Sequence, residues 1–418
     1  MMRSWKQYAW IVVGLLWLVA LLNYLDRLMI TTMRDAVMAD IAMSDARFGL
    51  LTSVFLWVYA ALSPVGGYLA DRLGRARVIV GSLFFWSAAT WLSGRAQTFE
   101  QLCWARALMG ISEACYIPAA LALIADYHRG PTRSLATGLH MTGIYAGASL
   151  GGIGGYIAES YGWRCGFEVF GAIGVVYALV LLCLLRDTPG EPREAGAAQP
   201  AVEPWHGVLA ALFTQRGFQL LFALNVLVGI VNWTIYGWLP TYLREQFSLG
   251  LGAAGMSATG YIQIASLVGV LVGGAWADRW SRVNRRGRAL VPAMGYCAAG
   301  PFLFLAASTQ SLPLAVAGLV VFGLGRGFFD ANQMPILREL VDRRYSATGY
   351  GFLNFIGTAA GGVMVYAGGA LKDAQVPLGI VFQACALGLL IAGITLFWIK
   401  PPGLAAAPPV PDGRSRQE

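Results

Sequence analysis

Six ionisable side chains stand inside otherwise apolar stretches of this sequence: Asp26 and Arg27, Arg106 and Glu113, Arg326 and Asp330. At the centre of a bilayer such groups cost at least ~2.5–3.5 kcal/mol each on insertion scales, so they mark candidate functional positions. Arg106 and Glu113 are seven residues apart, about two helical turns, and share a helix face. Asp26 and Arg27 are adjacent and diverge by about 100°. One can meet a neighbouring helix while the other meets a cavity. The chemistry open to this set is proton-linked anion binding. Protonating Glu113 or Asp26 releases Arg27 or Arg106 from a pair, and a freed guanidinium takes an anion with two parallel hydrogen bonds. Arginine keeps its charge, which suits it to hold the anion. Proton and anion then bind together. A purely structural charge cluster is the competing reading, but a buried ion pair stabilises weakly.

The second half adds Asn225, Asn232, Trp233 and Tyr236, then Asp330 and Asn332, then Asn354. Asn232 and Tyr236 are one turn apart and can line one wall of a cavity, with Tyr24 as another wall. Each polar residue alone reads first as a helix–helix hydrogen-bonding group. Asp330 would repel an anion unless it is paired with Arg326 or protonated, and it can instead contact hydroxyl or amino groups. His140 offers a proton relay but reads first as structural; His128 and His206 lie near loops. The six cysteines show no CxxC and mostly sit in apolar runs, so no disulfide framework or metal site is implied. No nucleophile, metal or phosphate-binding constellation survives inspection. Neither an enzyme nor a cofactor is expected.

These residues need elements to hold them, and composition says which. Of the 418 residues 57% are hydrophobic and 12% charged, against about 25% charged in a soluble domain. Ser53–Ala70 and Val169–Leu185 contain no ionised side chain. About 20 apolar residues cross a bilayer core as a helix. Twelve spans are predicted, at 8–33, 48–70, 77–94, 102–125, 135–157, 166–185, 218–243, 253–276, 290–307, 313–337, 347–369 and 377–398. The first apolar run, Tyr8 to Leu22, leads into polar residues 23–27 without a small-residue cleavage site, so it reads as a spanning helix and not a signal peptide. Lys and Arg then orient the chain. The N-terminus, every second loop and the C-terminus hold 21 of them, the opposite loops six and the spans three. By the positive-inside rule both termini are cytoplasmic, in an inner cell membrane. The net charge of +8 is explained by orientation, and nucleic acid is not an expected partner.

The two halves resemble each other. Gly67-Tyr-Leu-Ala-Asp71-Arg72 matches Gly274-Ala-Trp-Ala-Asp278-Arg279, an offset of 207. Gly110-Ile-Ser-Glu113-Ala114 matches Gly327-Phe-Phe-Asp330-Ala331, an offset of 217, and Arg133 to Gly138 matches Arg344 to Gly349, an offset of 211. Such constancy indicates a parallel repeat of two six-helix halves: residues 1–185 and 218–400, with a cytoplasmic linker at 186–217 and a disordered tail at 401–418.

The segment Gly67-x-x-x-Asp71-Arg72-Leu73-Gly74-Arg75 resembles the loop motif of the major facilitator superfamily between helices 2 and 3. The resemblance implies an all-α polytopic fold of twelve helices in two pseudo-symmetric halves, with this motif as a gate that latches the outward-facing state. Gly143, Gly147, Gly151 and Gly155 make a small-residue groove in span 5, and Gly269 with Gly273 another in span 8. The resemblance implies that these two helices pack across the halves.

Asn23-Tyr24-x-Asp26-Arg27 with Arg106-x-x-x-Gly110-x-x-Glu113-Ala114, and Trp238-Leu-Pro-Thr-Tyr-Leu243, resemble the anion:cation symporter family. That implies substrate contact at Arg27 and proton coupling at Asp26 and Glu113; from the buried charges themselves, Arg106 is expected to be the switching partner. Spinster-like transporters share Asp26-Arg27 and Gly110 to Tyr116 but move lysolipids and other amphiphiles. The expectation is a monomeric symporter of protons and a small organic anion, a carboxylate or sugar acid, by rocker-switch alternating access. A proton-linked amphiphile transporter is the alternative. A transporter-derived ligand sensor is the alternative from another class.

Overall fold

A computed structural model describes residues 2–128, 132–188, 205–342 and 345–399. The fold is all-helical. The first half comprises α1 (Met2–Thr32), α2 (Arg34–Asp40), α3 (Asp45–Leu73), α4 (Arg75–Arg95), α5 (Phe99–Glu113), α6 (Tyr116–Tyr127), α7 (Arg133–Leu150), α8 (Ile153–Tyr161) and α9 (Trp163–Leu184). The second comprises α10 (Trp205–Phe213), α11 (Arg216–Phe247), α12 (Leu251–Ser281), α13 (Gly287–Ala306), α14 (Leu312–Leu340), α15 (Ser346–Asp373) and α16 (Leu378–Trp398). With α5–α6 and α7–α8 each making one crossing, twelve crossings result. All twelve predicted spans are helical, and α2 and α10 are additions. An even count brings both chain ends to one face, called here the terminal end. The opposite face is the far end.

Eleven helical spans among the described residues are long and apolar enough to cross a membrane by length and composition. The twelfth, α7–α8, is divided at Gly151–Gly152, which leaves a piece of 18 residues and one of nine. The α5–α6 crossing is interrupted at Ala114–Cys115, directly after Glu113. Pro118 explains the position: it has no N–H for the Ala114 carbonyl, and its ring crowds that carbonyl. Gly66 of α3 presses on the break, where a Cβ would lie 2.6 Å from the Ala114 oxygen.

The glycine stripe divides its work. Gly143 and Gly147 face Trp17 and Leu21 of α1, and Gly151 faces Leu28. Only Gly155, with Gly152, meets α12, at Leu251, Gly255 and Met256. Residues four apart advance about 40° around a helix, so a stripe of four winds from one neighbour to the next. The α7–α8 crossing does pack on α12, but not along the whole predicted groove. Gly269 and Gly273 face Leu324 and Phe328 of α14 instead. The 186–217 segment is not wholly irregular: α10 occupies its end and sets Phe213 edge-on to Phe218 at 5.2 Å. The rest of that segment from 189 to 204, and the tail at 401–418, lie outside the described residues.

The halves meet through α3 on α15, α1 on α11, and α7–α8 on α12. Ser53 and Trp57 donate to the carbonyls of Gly362 and Ala359, and Thr259 donates to that of Ser149. At the far end Arg244 pairs with Asp35, which also pairs with Arg34, and Lys372, which holds Glu245 of its own half at 2.8 Å, lies 4.0 Å from Asp45 across the seam. Among the described residues, the polar contacts between halves lie at mid-depth or at the far end. Tyr350 and Asn354, toward the terminal end of α15, share the helix face of Gly357 and Gly361 yet are exposed.

Candidate functional site

The α1 charges meet α5 in the interior. Arg27 donates from Nη2 to Glu113 Oε2 at 2.8 Å, with side chains 2% and 0% exposed. Asn23, one turn earlier, lies 3.4 Å from the same nitrogen through Oδ1. Three aromatic rings enclose the guanidinium: its carbon lies 4.6 Å from the Tyr24 ring centre, 4.9 Å from Phe55 and 4.5 Å from Tyr59. Such cation–π contacts strengthen on desolvation. Arg106 lies 4.8 Å from the Phe55 ring, so one phenyl group is shared by both cations.

The expected pairing is half met. Arg27 pairs with Glu113, but Arg106 pairs with neither acid. Its described bonds run to the Arg27 carbonyl at 3.4 Å and Met109 Sδ at 3.6 Å. Asp26 holds no arginine. Its Oδ2 accepts from Thr90 at 3.4 Å. The cause is the helix angle between residues 26 and 27: Arg27 looks toward α3 and α5, and Asp26 toward α4. Asp26 Oδ1 and Glu113 Oε1 are buried without a hydrogen-bond partner in the protein. Buried polar atoms are nearly always satisfied, so each free oxygen is a place where a proton can sit.

A second cluster lies on the other half. Tyr236 is bonded by Arg326 and, at 2.8 Å, by Gln263. Arg326 Nε lies 3.4 Å from Asp330 Oδ2, so the expected pair exists. Asp330 also accepts from Tyr145 of the first half at 3.1 Å. Tyr24 and Trp233 pack against the small apolar group of Leu28, Ala148 and Tyr236, which brings walls from both halves together. Asn225 and Asn332 bond between helices: Gln333 donates to Asn225 at 2.6 Å, and Asn332 lies 3.4 Å from the Gly273 carbonyl while also donating to the Phe328 carbonyl of its own helix at 2.8 Å. Asn232 is half-buried beside Trp233, and Asn354 is exposed. The imidazole of His140 is fully buried and stacks edge-on to Tyr116 at 5.9 Å.

The α3–α4 loop turns at Gly74, whose φ of +92° favours glycine. Arg72 lies over the Tyr68 ring at 4.8 Å, and Arg75 pairs with Asp126 and donates to the Ala122 carbonyl at 2.9 Å. Asp187 caps the start of α4 through the Ala76 N–H. Gly67 and Asp71 belong to α3, but the surroundings of Gly67 and the side chain of Asp71 lie outside what is described.

Phe55, Tyr59, Thr90, Tyr145 and Gln263 were not singled out by sequence. Phe55 and Tyr59 are one turn apart in an apolar run, a spacing that also reads as core. Gln263 offered the clearer signal, as a lone amide in span 8.

A profile of the Major Facilitator Superfamily matches residues 16–365 and 263–416. An MFS-type efflux pump of Mycolicibacterium smegmatis is 29% identical over 402 residues, covering 94% of this chain and 92% of that one. Protein spinster homolog 1 of Homo sapiens is 30% identical over 340 residues; the match covers 77% of this chain and 64% of that protein, just under two thirds of its length. A probable sulfoacetate transporter of Cupriavidus necator is 25% identical over 411 residues, with 93% of each chain covered. Crystal structures of a bacterial homolog of the lysosomal transporter Spinster, inward-facing, unoccupied and occupied, superpose with TM-scores of 0.76 and 0.77 at 21% identity over 94% of this chain. With twelve crossings in two six-helix halves and a profile match over most of its length, the chain belongs to the Major Facilitator Superfamily, a family of membrane transporters.

Proposed function

We propose that this transporter is a symporter of protons and a small organic anion. One observation carries the reading: a single buried carboxylate, Glu113, holds an arginine, Arg27, that stands in an aromatic enclosure near the meeting of the halves. A proton placed on Glu113 removes the countercharge of Arg27, and an uncompensated buried cation is costly. An incoming carboxylate restores the balance. The site therefore favours the loading of both or neither. Asp26 is the second proton-holding group, through its free Oδ1. Arg106 keeps the four-charge cluster neutral while both acids are ionised. Tyr24, Asn232, Tyr236 and Asn354 line the path as the halves rock, with Arg326 and Asp330 as the opposing charged wall.

The chain acts as a monomer with residues 1–185 and 218–400 as the rocking units. The loop motif from Gly67 to Arg75 is the gate at the terminal end. The distribution of Lys and Arg supports a cytoplasmic location for that end, in an inner membrane. The relative named for sulfoacetate, an anion with two acidic groups, supports the substrate class. The relatives named spinster favour a second reading, proton-linked movement of an anionic amphiphile.

Proteoliposome uptake under an imposed pH gradient, with a panel of carboxylates, sulfonates and lysolipids, tests the proposal. Proton-driven accumulation of a water-soluble acid is the expected result. Lysolipid movement with no acid taken up overturns it. Glu113→Gln is expected to keep counterflow exchange and lose accumulation; normal accumulation removes Glu113 from coupling.

A further inference from the structure

Two contacts at the far end are copies of each other. Asp373, the last residue of α15, turns both carboxylate oxygens onto the start of α3. Oδ1 accepts from the Asp45 N–H and Oδ2 from the Ala46 N–H, each at 2.9 Å. Glu159 of α8 reaches the start of α12, where Oε1 accepts from the Leu251 N–H. In both cases carboxylate and helix belong to opposite halves. The internal repeat relates α3 to α12 and α8 to α15. Asp45 and Leu251 are 206 residues apart, and Glu159 and Asp373 are 214 apart, close to the offsets of the repeated motifs.

We infer that Asp373 and Glu159 form a reciprocal clasp that holds the far end shut, each half closing a helix of the other. The first N–H groups of a helix have no partner within it, and the same end carries a positive partial charge that favours a carboxylate. Both receiving helices are long, with 29 and 31 residues. Small residues admit the acids. A Cβ at Gly250 would lie 2.7 Å from Glu159 Oε1, and one at Gly369 would lie 2.3 Å from the Asp45 carbonyl. α3 already has a cap of its own, since Ser44 accepts from the Arg47 N–H. Asp373 takes the N–H groups that Ser44 leaves.

The clasp differs in kind from the ion pairs around it. Arg244–Asp35 and Lys372–Glu245 join two long side chains with at least one well exposed, and such pairs contribute little. Asp373 and Glu159 are exposed as well, but they bond backbone N–H groups that the helix itself leaves without a partner. They also gather on the α2, α11 and α15 side. The caps are paired by the repeat and sit on both sides of the seam. Each exists only while the halves touch at this end, so opening the far end breaks both together and hands their groups to water. The clasp therefore sets which end is closed in the absence of substrate. It requires alternating access, but neither the proton nor the anion proposed above.

Hydrogen–deuterium exchange on the full chain without substrate tests it. In the double variant Asp373→Ala with Glu159→Ala, losing one cap shifts the balance of the two states about five-fold and losing both about 25- to 30-fold. Segments 45–57, 251–259 and 362–373 are expected to take up more deuterium, and segments 60–73 and 346–357 less. Opposite signs at the two ends distinguish a change of state from loosening. Unchanged uptake at the far end, or a rise at both ends, overturns the inference. Where the alanine pair does not fold, Asp373→Asn with Glu159→Gln carries the test. It keeps an acceptor oxygen and loses the charge, so the same segments shift in the same directions by a smaller factor, and no shift overturns the inference. A chain that moves no protons still passes or fails this test.

Discussion

Gly155→Ala and Gly147→Ala add the same methyl group to the same crossing, yet they should act differently. A Cβ at Gly155 would lie 2.3 Å from the Leu251 carbonyl oxygen and 2.6 Å from its carbon, both on α12 of the opposite half. Backbone on both sides cannot give way as a side-chain tip can. Overpacking of this kind costs about 1–3 kcal/mol. That cost falls only on the state in which α8 and α12 touch, so the balance moves away from far-end closure by about 5- to 150-fold. A Cβ at Gly147 would lie 2.1 Å from the Leu21 oxygen of α1, inside the first half. That clash is present whichever end is open. Gly155→Ala should raise deuterium uptake at the far end and lower it at the terminal end. Gly147→Ala should lower thermal stability in detergent and leave the ratio between the ends unchanged. The reasoning is refuted if Gly147→Ala moves the ends in opposite directions, or if Gly155→Ala does not.

Other predictions concern the interior site. Arg27→Lys keeps the charge but loses the planar fork and the ring stacking; the concentration for half-maximal uptake should rise by tenfold or more, about 1.4 kcal/mol, and an unchanged value would remove Arg27 from substrate binding. Pro118→Ala restores an N–H to the Ala114 carbonyl; thermal stability should rise while transport slows, and faster transport would show that the break is incidental.

Much of the fold was legible because bilayer physics leaves few solutions. Apolar length marked the crossings, and the Lys and Arg pattern paired their ends. The interrupted crossings were harder. Pro118 and Gly151–Gly152 were visible in the chain, but prolines and glycines are tolerated within membrane helices, as the unbroken α14 around Pro335 illustrates. At the site, the charges at 26, 27, 106 and 113 announced themselves by cost. Their pairing did not, because a span of apolar residues leaves the rotation of each helix undetermined. Arg27 found Glu113 and Asp26 found Thr90 for a reason that only the packing of α3, α4 and α5 supplies. The enclosure of Arg27 by Phe55 and Tyr59 was hidden in the same way.

The two breaks have a mechanical consequence. Both interrupted crossings, α5–α6 and α7–α8, belong to the first half, whereas their repeat counterparts α14 and α15 run unbroken for 29 and 28 residues. The repeat is symmetric in sequence and lopsided in stiffness. In the rocking motion proposed above, bending concentrates at these two joints of the first half, for which α14 and α15 have no counterpart. One of those joints directly follows Glu113, so a change of charge there acts beside a break in the scaffold.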